Sequence, residues 1–186
     1  MKKRLLVFGV IILVVTFLAG CLGQSKQDND TTEQPQTETN QQNEETPAEE
    51  TIEFTVYFSD DEAMYLKEEK RAVPKDDRPV TELMIEELIK GPKSQDLMPT
   101  IPEGTKLLSL EVKEKIAIVN FSKEIQTNHP GGTTGESMTV YSIVHTLTQL
   151  PDIEAVKFLV EGEEQEAIWG HLYTLEPIEP NPDLLQ

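Results

Sequence analysis

The sequence predicts a two-layer α/β sandwich over residues 51–186: a small mixed sheet with two helices on one face. Three observations lead there. Two segments carry apolar residues at helical spacing, several short apolar runs show strand character, and hairpin strands alternate with helices along the chain. No internal repeat interrupts that order.

Ordered sequence begins at Thr51. Ile52, Phe54, Val56 and Phe58 alternate with more polar neighbours, the pattern of a half-buried strand that ends at Ser59-Asp60-Asp61. Met64 to Val73 reads as a second strand, in spite of the charge run Lys67 to Arg71. Asp77-Arg78-Pro79 resembles a helix start with proline near the first turn, and Gly91-Pro92 its stop. Between them Val80, Leu83, Met84 and Leu88 form an apolar stripe that Ile85 and Ile89 widen, so this helix packs on something.

Pro99-Thr100-Ile101-Pro102-Glu103-Gly104 is a turn-rich connector. Leu108, Leu110 and Val112 then alternate with polar residues, and after Lys113-Glu114 the run Ile116 to Phe121 is almost wholly apolar. This is a hairpin with an interior second strand. His129 to Glu136 breaks regular structure and leads into a helix to about Gln149, entered through a Thr cap with Glu136 near the first turn. Val140, Ile143, Val144, Leu147 and Leu150 mark its buried face, and Ser142 falls on the solvent face. Ile153 to Val160 supplies a last strand, and Trp169-Gly170-His171-Leu172 sits in a short closing segment before a Pro-rich tail.

The residues before Thr51 have another character. Lys2, Lys3 and Arg4 followed by the apolar run Leu5 to Ala19 form a secretory signal over residues 1–20, too short for a comfortable membrane span. Leu18-Ala19-Gly20-Cys21 looks like a bacterial lipobox, in which small residues admit the peptidase and the thiol takes a diacylglyceryl group. Cys21 is the only cysteine, which excludes an intramolecular disulfide and a cysteine-rich metal site. Each buried acyl methylene would contribute about 0.8 kcal/mol to anchoring on the extracytoplasmic face of a membrane. Residues 21–50 form the lipidated N-terminus and an acidic, nearly apolar-free tether, expected to be disordered with a reach of about 30 Å.

Beyond the signal the chain carries 13 basic and 34 acidic side chains, a net charge of −21. That balance argues against nucleic acid, whose affinity rests on Lys and Arg neutralising phosphates. It also opposes close approach of identical copies, so the isolated protein should be mainly monomeric. The chemistry-bearing residues form no catalytic constellation. His129, His145 and His171 fit no metal-binding spacing; His145 reads as half-buried and structural, and His171 as packed beside Trp169. Glu161, Glu163, Glu164 and Glu166 read as a solvated edge. The expectation is therefore no catalytic residue, no metal and no cofactor, with Cys21 as the one modified site.

Phe54-Thr55-Val56-Tyr57-Phe58, Ala117 to Glu124, Gly135-Glu136 with Ile143 to Thr148, Val156 to Gly162 and Gly170-His171 together resemble the GerM sporulation and germination domain. The resemblance spans about Ile52 to Leu175. It implies a likeness to the ring-building modules of secretion systems and of the sporulation channel, with a core in the order helix, strand, strand, helix, strand. Residues 79–160, read independently, have that same order. What it implies about function is a membrane-anchored envelope lipoprotein that acts as a non-catalytic assembly module within an envelope protein complex, in sporulation or germination. The alternative is a lipoprotein that binds a small ligand or cell-wall glycan, for which a deep pocket ringed by Trp169, Tyr141 and carboxylates would speak. An assembly module would offer a helix face or a strand edge, Phe54 to Phe58 or Ile153 to Val160.

Overall fold

In the computed structural model, residues 50–186 are described, so the expected signal, Cys21 and nearly all of the expected tether lie outside the described residues. The elements run β1 (Thr51–Ser59), β2 (Leu66–Pro74), α1 (Val80–Lys90), β3 (Leu107–Lys113), β4 (Ile116–Phe121), α2 (Glu124–Thr127), α3 (Thr133–Thr148) and β5 (Ala155–Val160), with a 3-10 turn at Pro182–Leu184. The class is mixed α/β, as the patterning predicts. Its strands divide between two sheets: β1 and β2 form an antiparallel ribbon of their own, and the mixed sheet has the order β3-β4-β5.

The hairpin β3–β4 is antiparallel, while β4 and β5 run parallel from Ile116↔Ala155 to Phe121↔Val160. A parallel pair needs a long crossover, and α2 with α3 provides it. Ala117, Val119 and Phe121 of β4 and Val156, Phe158 and Val160 of β5 are buried on one face of the sheet. Against that face lie Met84, Ile85 and Leu88 of α1 and Val140, Ile143, Val144 and Leu147 of α3, all in a core shared with Phe54, Val56 and Phe58 of β1. Each such side chain larger than alanine contributes about 1.5–3 kcal/mol on burial.

Because α3 has α1, β1 and β5 as neighbours, it is buried nearly all round. Ser142, expected on the solvent face, is fully buried and donates from Oγ to the Thr139 carbonyl at 2.9 Å. The expected Thr cap is likewise replaced: the N-cap of α3 is Gly132 at φ 87°, with no side-chain cap.

Both predicted strand edges are covered. Outward backbone groups of Thr55 and Tyr57 in β1 are taken by α3 and the residue that caps it, with the Thr55 N–H donating to Gln149 Oε1 (3.0 Å), Gln149 Nε2 to the Thr55 carbonyl (2.7 Å) and the Tyr57 N–H to Thr146 Oγ1 (3.2 Å). On β5, Val156 exchanges two backbone hydrogen bonds with Ile178, and the Val160 N–H donates to the Glu163 carbonyl. The far edge of the mixed sheet is instead β3, whose Leu108 and Val112 are exposed.

The charge run in β2 is accommodated by one buried cation. Arg71 lies on the core face, 1% exposed, with its guanidinium 5.5 Å from the centre of the Phe58 ring. Its Nη2 donates to the Gly91 carbonyl at 2.7 Å, just past the end of α1. Glu87 of α1 stands 3.2 Å from Nε and Glu69 beside Nη1, acting by proximity since neither nitrogen makes an aligned hydrogen bond. Burial pushes the guanidinium pKa down, and Glu87 works against that shift.

Candidate functional site

The end of β1 organises a groove. Asp60, buried, accepts the backbone N–H groups of Met64 (2.8 Å) and Tyr65 (3.3 Å) on its Oδ1, which folds the β1–β2 turn back on itself with Ala63 at φ 54°. The turn leaves Asp61, Met64 and Tyr65 exposed. Met98 donates its N–H to the Ser59 carbonyl at 2.8 Å, laying the proline-rich connector across the end of β1. Asn128 Nδ2 donates to the Glu103 carbonyl at 2.8 Å and ties the other end of that connector to the residue after α2.

His129 completes the wall. The Gly131 N–H donates to its Nδ1 at 2.9 Å, and Thr139 Oγ1 lies 3.0 Å from its Nε2 while itself donating to the Thr100 carbonyl at 2.7 Å. Since the one hydroxyl proton of Thr139 is spent on Thr100, Nε2 carries the imidazole hydrogen and donates it. The ring is thereby held neutral, and burial pushes its pKa down from the usual value.

The resulting groove encloses about 420 Å³ between the β1–β2 turn, the connector, His129 and the start of α3. Met98, Pro99, Ile101, Pro102, Pro130 and Met138 supply apolar wall, and Asp60, Asp61 and Glu103 supply carboxylates. Among the described residues lining it there is no Lys or Arg. Thr100 also lines it, and its buried hydroxyl has no hydrogen-bond partner among the described residues. A shallower depression bordered by Met64, Thr133, Thr134, Ser137 and Leu184 shares Ala63 and Met138 with the groove and extends it.

The other two histidines are engaged by the fold. His145 Nε2 donates to the Asn181 carbonyl at 2.9 Å, its ring packs near those of Tyr57 and Tyr141, and burial again lowers its pKa. His171 pairs with Glu136, a carboxylate without exposed surface in the first turn of α3. The distance is 2.6 Å to His171 Nδ1, and the N–H groups of His171 and Leu172 donate to the other oxygen at 3.1 and 3.2 Å. Burial disfavours the Glu136 anion, but these donors outweigh it and hold the carboxyl below its usual range. Glu136 thus clasps the closing segment to α3.

Among the described residues, Trp169 and Tyr141 pack against other rings rather than gathering around the groove's carboxylates. Trp169 Nε1 donates to the Ile125 carbonyl at 2.8 Å, and its ring stands between those of Phe158 and His129, at 6.5 and 5.4 Å. Neither residue lines the groove. In the acidic run, Glu161 Oε1 accepts the Lys123 N–H and Glu164 lies 3.4 Å from Lys157. Sequence reasoning missed two features. The groove draws on three separate loops and the start of α3, each legible by itself but not as a neighbour of the others. The Glu136 clasp had a signal: Glu136 is in register with Val140, Ile143 and Leu147, a carboxylate on the apolar stripe.

Comparison with known proteins follows the same lines. A protein-family model described as Germane, sporulation and spore germination, matches residues 55–166. No curated protein matches the sequence. Among solved structures, one described as a "putative lipoprotein" from Clostridium perfringens is 32% identical, with a TM-score of 0.50 over 69% of this chain and 87% of that one. The tandem GerMN domains of the sporulation protein GerM from Bacillus subtilis are 25% identical, with a TM-score of 0.60 over 73% of this chain. This chain spans about half of that tandem structure, 48% of it. The first GerMN domain of the same protein shares the fold, with a TM-score of 0.56 over 73% of this chain and 97% of that one at 24% identity. With the family model covering more than half of the sequence and the fold of GerMN domains around the groove, this chain belongs to the Germane family of sporulation and spore germination.

Proposed function

We propose that the protein is a lipoprotein anchored through Cys21 on the extracytoplasmic face of the cell membrane, whose folded domain binds partner proteins of an envelope complex in sporulation or germination without catalysing a reaction. One observation carries the binding role. The three histidines are each bound into the fold, to Thr139, to Asn181 and to Glu136, whereas the open surface at the end of β1 is a groove of methionine, proline and carboxylates. Such a surface suits recognition, because methionine adapts its shape to what it meets.

The likeness to the Clostridium perfringens protein supports the anchor, as do the small residues before Cys21. Fractionation of native cells tests it. Wild-type protein should partition with detergent and membrane, and Cys21→Ala protein should appear in the soluble fraction, since the apolar run Leu5 to Ala19 is too short to hold it. A Cys21→Ala protein that stays with membranes at high salt would refute the anchor. Affinity purification of the cross-linked wild-type protein tests the binding role, and recovery of the protein alone would refute it.

A further inference from the structure

We propose that the groove at the end of β1 is where this domain takes its partner, and that the occupant is a cationic, apolar segment of a protein chain: Lys or Arg side chains against the carboxylates of Asp61 and Glu103, with an apolar side chain against Met98, Ile101 and Met138. This rests on the reading of the protein as a binding module.

Three features of the groove select that occupant. Its charge is of one sign, because Asp60, Asp61 and Glu103 line it without a Lys or Arg, and the hydrogen bonds that fix His129 in its neutral form remove the remaining source of positive charge. An anionic segment would meet only repulsion there. Its apolar wall is accessible in part, with Met98 49% exposed and Met64, at the mouth of the adjoining depression, 55% exposed above the buried Ile101 and Met138. Large exposed apolar side chains beside a concave surface mark interaction sites. Finally the groove runs on past Ala63 and Met138 into a second depression, a length that fits an extended segment better than a compact small molecule.

The test pans a displayed library of random peptides against the full chain in detergent micelles, and then titrates synthetic copies of the selected peptides into protein labelled at its methionine methyl groups. Selected peptides should be enriched in Lys and Arg next to apolar residues. They should shift the Met98 and Met138 signals in a saturable way and leave Met84, fully buried in α1, unmoved. Asp61→Lys with Glu103→Lys should weaken their binding by about tenfold or more. Enrichment of acidic peptides, no enrichment, or cationic peptides that bind the charge-reversed protein equally well would overturn the proposal. Affinity purification from native cells separates the two readings. A partner that still co-purifies with the folded charge-reversed protein sinks the groove and spares the binding module. Absence of any partner with wild type sinks the module itself.

Discussion

His129 and His145 show how single residues here trade charge for position. Burial disfavours the charged form of each ring, so each has a folded pKa below the unfolded value of about 6.5, although at His145 the Asn181 carbonyl works against that shift. As pH falls through about 6.5 the unfolded chain takes up these protons first, and the unfolded state gains. Their share of stability is therefore complete above about pH 6.5 and is lost on acidification. Thermal melts at about pH 7.5 and about pH 5.5 should show a larger drop for wild type than for a His129→Gln, His145→Gln double variant, and equal drops would contradict the assignment. Glu136 acts in a lower window: its carboxyl is depressed, so its contribution is present above about 4.5 and lost as pH falls through the folded value. Arg71 is the opposite case, a cation that no pH near neutrality discharges and that must be neutralised by Glu69 and Glu87. The sequence displays all of these residues. Which of the many carboxylates meets which cation depends on strand register and helix placement, so the pairs were not legible there.

At the level of elements, β4 is found where its apolar run places it, and α1 and α3 lie close to their predicted bounds, because periodicity and local breakers are properties of the chain itself. The turn of the β3–β4 hairpin is a local compromise. Glu114 and Lys115 both adopt positive φ, 50° and 67°, the backbone that two-residue hairpins favour and that Asn-Gly fills with least strain. Replacing the pair by Glu114→Asn and Lys115→Gly should raise stability by about 1 kcal/mol, read as a higher denaturation midpoint with unchanged slope. For α3 the periodic stripe understated burial, since α1, β1 and β5 leave it little free face. Ser142→Asp should accordingly unfold the domain much as Val144→Asp does, because both place an unpaired carboxylate in the core. Thr134→Asp, exposed in the first turn, should be neutral or gain up to about 1 kcal/mol from the helix dipole. Circular dichroism melts of the three variants would decide, and tolerance of Asp at Ser142 would contradict the packing.

On the scale of the whole molecule, charge sets association. Covered edges on β1 and β5 remove two routes to strand pairing between copies, and a net charge of −18 opposes approach at low salt, where the Debye length is about 30 Å at 0.01 M. Light scattering of the purified protein should therefore report a monomer in dilute buffer. A tight oligomer at low salt would mean that an attractive surface, the exposed edge of β3 foremost, outweighs the repulsion.

The sequence alone determined the class, the order of the strands and the two long helices, and the family, and it singled out Cys21, while the short α2 was not read from it. Those follow from short-range rules, in which periodicity chooses helix or strand and glycine and proline place the ends. Only the tertiary structure decided that the ribbon β1–β2 stands apart from the mixed sheet, that α3 is enclosed, that Glu136 faces inward to His171, and that the connector at Pro99 meets the β1–β2 turn and His129 to form a groove. Each of these is a meeting of residues far apart in the chain. Such meetings are settled by which apolar faces cover one another, and no local pattern of residues records that choice.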